Sequence, residues 1–293
     1  MGRVIFVNYF LKLIRTSRPL LWFTHFTLFT YGGLQSHSFQ LNSFQFIWGL
    51  LIFSLPFSLF VYAINDYYDL RTDLLNSRKG TIFGEKHKGW TIKNLRIWGF
   101  AGLVITLILT QFMSIYVSIT MLILCCILYA YSALPLRLKS VPIIDAFVGG
   151  FLYSYLITII GYFFFVENEG GAISVFKSQF IFFGLFGLAG HLMGAVLDEE
   201  PDRKDNIRTS VVSFGINRVI TFCLVILLIS LYLARGSLLF IFFMSISIAI
   251  CSLCYSDKWR KSFFSQKFVA YLSLIFFAIT IILYFVKPTL LRF

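Results

Sequence analysis

The reading of this chain is decided by FQFIWGLLIFSLPFSLFVYAI, residues 44–64, which runs without a break into NDYYDLRTD, residues 65–73. The first part carries no charged side chain over a length that can cross a bilayer as a helix, which needs about 17–25 apolar residues. In hydrocarbon every backbone N–H and C=O must be satisfied within the protein, so such a segment is helical. The second part places three carboxylates, Asp66, Asp69 and Asp73, directly at its end.

Moving outward, comparable apolar stretches recur at residues 20–34, 97–113, 116–133, 143–166, 180–197, 219–234, 238–255 and 268–286. Together they predict an all-α, multi-pass membrane bundle of about nine transmembrane helices, formed by one domain over residues 1–293. Composition agrees. The 293 residues are 58% hydrophobic and include 36 Phe and 15 Tyr. Charged residues make up 13%, against about 25% in a soluble domain.

The formal net charge of +12 does not call for nucleic acid, because membrane proteins gather Lys and Arg in cytoplasmic loops. All of the 25 Lys and Arg except Lys177, Arg235, Lys287 and Arg292 fall on one side when nine spans are threaded. That side is predicted to be cytoplasmic and to hold the N-terminus. The C-terminus falls opposite, and the cytoplasmic membrane is the expected location. Residues 1–19 mix Arg3, Lys12, Arg15 and Arg18 with apolar residues and lack a signal-peptide cleavage pattern, so they predict an amphipathic, interfacial start. The five cysteines lie in apolar stretches, and Cys251-x-x-Cys254 has no second pair to complete a zinc site.

The acids share the side of the bases; only Glu167 and Glu169 fall opposite. In the first cluster, Asn65, Asp66, Asp69 and Asp73 lie on one face if the helix continues. Like charges so close repel, and a hard divalent cation relieves the repulsion. Mg²⁺ prefers one or two carboxylates plus water and phosphate oxygens. A solvated acidic helix end is the structural alternative. An EF-hand is excluded by the missing Gly and Glu of that loop. The second cluster, Asp198, Asp202 and Asp205 with Glu199 and Glu200, sits at the corresponding end of the sixth predicted span. Two such clusters facing each other suit a metal-bound diphosphate, whose departure needs its charge neutralised.

Other residues join these clusters as candidates. Tyr131-Ser132-x-x-Pro135-x-Arg137-x-Lys139 follows the fourth span and offers Arg137 and Lys139 to phosphate oxygens; a positive-inside loop explains them equally. Arg18 precedes the first span, where a cytoplasmic flank is the plainer reading. His191 lies seven residues before Asp198 and shares its face, facing a cavity or bonding a neighbouring helix. His25, in the first span, shows no link to either acidic motif.

NDYYDLRTD (65–73), Tyr131 to Lys139 and Asp198 to Thr209 resemble the UbiA superfamily of intramembrane prenyltransferases, in this order along the chain. The resemblance implies a bundle around a central cavity open sideways to lipid. It implies Asn65, Asp66, Asp69 and Asp73 at one Mg²⁺ site and Asp198 and Asp202 at the other. It also implies Asp66, Asp69, Asp198 and Asp202 as catalytic, with Asn65, Arg18, Tyr131, Arg137, Lys139, His191 and Arg208 on the substrate. HLMGAVLDEEPDRKDNIRT (191–209) and LNSRKG (75–80) look like the branch containing lycopene elongases. The expected partners are thus a prenyl diphosphate, a lipophilic acceptor such as a carotenoid, and the lipid bilayer. Quinone-precursor prenylation, terpene cyclisation on the same scaffold and ion-coupled transport are the rival readings. Transport predicts acids near the bilayer midplane and an inverted repeat, whereas these acids lie at helix ends.

One departure from the family pattern is Pro201, where Gly is commoner before the second Asp. Proline disfavours helical geometry at the residue before it and suits a first helical turn. This predicts a break in the sixth span near Glu200 and a short helix starting at Pro201.

Overall fold

The computed structural model describes residues 2–36, 38–75, 87, 90–166, 177–233, 238–259, 274–275, 277–282 and 284–285. Every regular element among them is helical. The order is α1 (Gly2–Thr16), α2 (Pro19–Leu34), α3 (Phe44–Phe53), α4 (Leu55–Tyr68), α5 (Leu70–Leu75), α6 (Trp90–Thr110) and α7 (Ile115–Ser132). A 3₁₀ turn (Leu138–Ser140), α8 (Ile144–Ala146), a π-helical turn (Phe147–Leu152), α9 (Tyr153–Phe163) and α10 (Ser178–Lys204) follow. The series continues with α11 (Ser210–Phe214), α12 (Ile216–Leu233) and α13 (Leu238–Leu253).

Six segments among the described residues are long and apolar enough to cross a membrane: Phe44–Tyr68, Ile92–Thr110, Ile115–Ser132, Ile144–Phe163, Ser178–Lys204 and Ile216–Leu233. The chain is an integral membrane protein. Helices α2 and α13 are shorter, at 16 residues each. Ten of the 19 residues of the span expected at 268–286 are described, and these are helical. Apolar side chains face outward in helical stripes: Ile97, Val104, Ile105 and Ile108 on α6, and Phe222, Val225, Ile229 and Tyr232 on α12. In water such stripes would be a liability; against lipid they cost nothing.

The second expected span is two helices. Ser54 leaves helical geometry (ψ −121°) between α3 and α4. Pro56 explains it: it has no N–H to give the Ile52 carbonyl, and its ring crowds that carbonyl. Hydroxyl caps start other helices. Ser43, Ser114 and Thr209 accept from the N–H groups of Phe46, Val117 and Val212.

Helices α2 and α9 cross backbone to backbone. A methyl group on Gly161 would stand 2.1 Å from the Phe29 carbonyl oxygen, and one on Gly32 would stand 1.8 Å from that of Thr158. Small residues let two backbones meet where lipid supplies no hydrophobic driving force. Phe29, Phe53, Phe57 and Tyr162 then fill the interior around this contact.

Candidate active site

Helix α4 carries the first acidic motif to one end of the bundle. It stops at Asp69, whose backbone leaves helical geometry (φ −107°, ψ 11°), and α5 begins at the next residue. The motif is therefore not on one uninterrupted helix. The i→i−4 bonds nevertheless bridge the break, from Asp69 N to Asn65 O (3.0 Å) and from Asp73 N to Asp69 O (2.8 Å). The faces of Asn65, Asp66, Asp69 and Asp73 stay together for that reason.

Asp66 is fully buried. Arg18 Nη2 donates to its Oδ1 at 2.6 Å, and His87 Nε2 lies 3.1 Å from its Oδ2. Arg18 reaches it because the backbone turns left-handed there (φ 52°) just before Pro19 opens α2. The Arg18 guanidinium also lies 4.4 Å from the centre of the Tyr62 ring. Burial works against the charge on Arg18, but Asp66, Tyr62 and Asp73 outweigh it and hold its pKa above the ordinary value.

Asp69, also buried, receives Lys139 and Arg137, the latter at 3.3 Å from Nη2. Arg137 is left-handed too (φ 38°), and the 3₁₀ turn behind it folds Lys139 inward until it is buried. Both bases thus pair with Asp69 and do not form a merely solvated flank. Ser132, at the end of α7, bonds Asn65 Oδ1 at 3.3 Å.

The second motif comes in on α10, which is continuous through Pro201 to Lys204. The predicted break at Glu200 does not occur. Proline removes a single backbone bond there, close to the helix end. Salt bridges Glu199–Arg203 and Glu200–Lys204 span the same turn, with Arg203 Nε and Lys204 Nζ donating at 2.7 and 2.6 Å. Asp198 and Asp202 thus keep their i, i+4 relation on one helix face. Asp205, at the C-terminus of α10, ties the motifs together: Thr72 donates to it, and Arg71 Nε lies 3.0 Å from its Oδ1.

Tyr131 lies between the clusters, close enough to feel the charges of Asp69, Asp145, Asp198 and Asp202. Its hydroxyl is 3.3 Å from His191 Nε2, and His191 in turn feels Asp145 and Asp198. Arg208 is the exception among the candidates; it is exposed in the loop before α11. The 76–80 stretch lies outside the described residues. Among the described residues, no three His, Cys, Asp or Glu side chains form a ready-made metal cage.

Three contributors escaped the sequence motifs. His87 lies in a loop and shares no periodicity with the acids. Asp145, buried at the start of α8, accepts from the Ser210 backbone N–H at 2.7 Å and from its hydroxyl; an acid at the head of an apolar span was its available signal. His25, which shows no link to either acidic motif in sequence, joins the site through two tyrosines. Its Nε2 meets the Tyr153 hydroxyl, its ring stacks on Tyr62 with centroids 6.4 Å apart, and Tyr62 lies under Arg18.

The chain is similar in sequence and fold to known proteins. A lycopene elongase/hydratase of Corynebacterium glutamicum is 29% identical over 74% of both chains. A UbiA homologue from Archaeoglobus fulgidus bound to DMAPP and Mg²⁺ superposes with a TM-score of 0.69 at 20% identity, covering 96% of this chain and all of that one. The structure of a UbiA homologue from the same organism bound to GPP and Mg²⁺ gives 0.63 at 21% identity, over 91% and 97% of the two chains. The profile of the UbiA prenyltransferase family matches residues 21–281, so this chain, with both of its acidic motifs inside the match, belongs to the UbiA prenyltransferase family.

Proposed function

We propose that this enzyme transfers a five-carbon prenyl group from dimethylallyl diphosphate to the end of a carotenoid such as lycopene, within the membrane and with Mg²⁺. The observation that carries the reading is the meeting, at one end of the bundle, of two acidic clusters with Arg18, Arg137 and Lys139. The likeness to a lycopene elongase/hydratase favours a carotenoid acceptor over a quinone precursor. We read residues 1–293 as one domain. The Lys and Arg asymmetry supports an acid-bearing end in the cytoplasm, with the C-terminus opposite.

The donor set fits the metal. Asn65, Asp66, Asp69, Asp73, Asp198 and Asp202 offer hard oxygens, and Mg²⁺ needs one or two of these per ion, with water and phosphate oxygens for the rest. That no all-protein cage forms among the described residues is in keeping with that habit. Bound there, Mg²⁺ would neutralise the leaving diphosphate.

The chain's own residues do the remainder. Arg18, Arg137 and Lys139, which hold Asp66 and Asp69, turn to diphosphate oxygens as these carboxylates take up metal. The C–O bond of the allylic diphosphate breaks with its electron pair leaving on oxygen. Aromatic faces of α4 and α9 stabilise the allylic cation, and the packed helices exclude water. A double bond of the acceptor attacks the cation, and a proton is then lost. The test is direct: purified protein receives dimethylallyl or geranylgeranyl diphosphate with lycopene or a quinone precursor, with and without Mg²⁺. Five-carbon addition to lycopene, abolished by chelation, is expected. Transfer to the quinone precursor alone overturns the carotenoid reading, and transfer without metal overturns the mechanism.

A further inference from the structure

The loss of that last proton needs an acceptor, and Asp66 and Asp69 are engaged with cations. A second polar group lies deeper. His25 on α2 is 1% exposed and surrounded by the rings of Phe53, Phe57, Tyr62 and Tyr153, with centroids 5.3–6.4 Å away. A histidine inside a membrane span is uncommon and points to the interior.

Its hydrogen bonds define its tautomer. Nδ1 lies 3.1 Å from the Phe53 carbonyl oxygen, which can only accept, so Nδ1 carries the hydrogen. Nε2 is then a lone pair, and the Tyr153 hydroxyl donates to it. With its hydrogen committed to His25, the Tyr153 oxygen is left as an acceptor, while the Tyr62 ring, stacked on His25 with centroids 6.4 Å apart, lies under Arg18. A spare lone pair remains on the Tyr153 oxygen.

The position suits a reacting carbon. Tyr62 is one helical turn before Asp66 on α4 and so about 6 Å deeper into the bundle. Tyr153 is half-buried, unlike His25 behind it. The phenol thus lies just inside the diphosphate end, where a new carbon–carbon bond would form.

Resting on the prenyl-transfer reading above, we propose that Tyr153, backed by His25, is the proton acceptor that quenches the carbocation left on the acceptor after coupling. The C–H bond beside the cationic carbon breaks, and its electron pair forms the product double bond. The proton passes to the Tyr153 oxygen as the Tyr153 hydroxyl proton passes to His25 Nε2. Tyr153 ends neutral and His25 ends as imidazolium. The His25 proton then returns to the Tyr153 oxygen as the proton gained there leaves towards the diphosphate, which restores both residues. Tyr153 is the catalytic group and His25 the residue that positions it and draws off its proton.

The experiment compares wild type, Tyr153→Phe and His25→Gln with dimethylallyl diphosphate, lycopene and Mg²⁺, reading diphosphate release, KM for the diphosphate and the ratio of hydroxylated to olefinic product. Without the acceptor, the cation survives until water captures it. The hydroxylated share is expected to rise roughly tenfold in both variants, since a positioned base is worth about a hundredfold or more. KM for the diphosphate stays within about threefold of wild type, because neither residue binds that end. A purely structural role would shift thermal stability and leave the product ratio alone. If Tyr153→Phe does not fold, His25→Gln carries the test. Prenylating wild type with an unchanged ratio in the folded variants overturns the proton-acceptor role alone. Wild type that forms no prenylated product overturns the transfer reading and this proposal with it.

Discussion

Lys139 is a buried ammonium that donates to the equally buried carboxylate of Asp69, seventy residues away in sequence. A 3₁₀ turn brings one to the site and a helix end the other. Removing one member leaves the other as an uncompensated charge, which costs about 3–5 kcal/mol. Asp69→Ala is therefore expected to unfold more easily by roughly that amount, discounted by Arg137 remaining nearby, and to lose transfer. The double variant Asp69→Ala/Lys139→Ala should recover stability but not activity. Thermal unfolding in detergent beside the transfer assay reads both, and normal turnover by Asp69→Ala would sink the metal–diphosphate model.

Arg18→Lys tests the first span's contribution. The guanidinium bonds Asp66 and stacks on Tyr62, and lysine reproduces its charge but neither the planar fork nor the ring contact. A lost charge-assisted bond is worth about 1.5–3 kcal/mol. KM for the prenyl diphosphate is expected to rise on the order of tenfold or more, with carotenoid affinity unchanged. An unchanged diphosphate KM would show that Arg18 serves Asp66 alone.

Pro201→Ala follows from the unbroken α10. Alanine restores one backbone hydrogen bond inside a helix that is already continuous, so stability should rise, by at most about 3 kcal/mol. Transfer should stay within about twofold, since Asp198 and Asp202 already share a helix face. A large loss of activity would mean that the proline itself shapes the second motif.

Gly161→Val tests the crossing beneath the site. A Cβ there meets the Phe29 carbonyl oxygen at 2.1 Å, and backbone cannot step aside as a side chain can. A loss of about 3 kcal/mol is expected, at the upper end for overpacking. Since α2 carries both His25 and the Arg18 turn, activity should fall with stability. Unfolding in detergent measures the first and product formation the second.

The amino-acid order alone determined the helical membrane class and the gathering of acids and bases at one end. Both are local properties: an apolar stretch long enough for hydrocarbon, and charges flanking it. The candidates Asn65, Asp66, Asp69, Asp73, Asp198 and Asp202 were legible because their spacing keeps one helix face. Tertiary structure decided which cation meets which acid. Arg18 pairs with Asp66, Arg137 and Lys139 with Asp69, while Arg208, equally basic and equally close to a motif, stays in solvent. It also decided that Pro201 leaves α10 intact, because in the last turn of the helix the proline removes a single backbone bond. His25 shows the difference most clearly. Its own helix carries no acid, and its tie to Asp66 exists because the glycine crossing of α2 and α9 brings Tyr153 within reach. Hydrogen bonds between helices depend on crossing geometry, which no spacing along a single strand of sequence encodes.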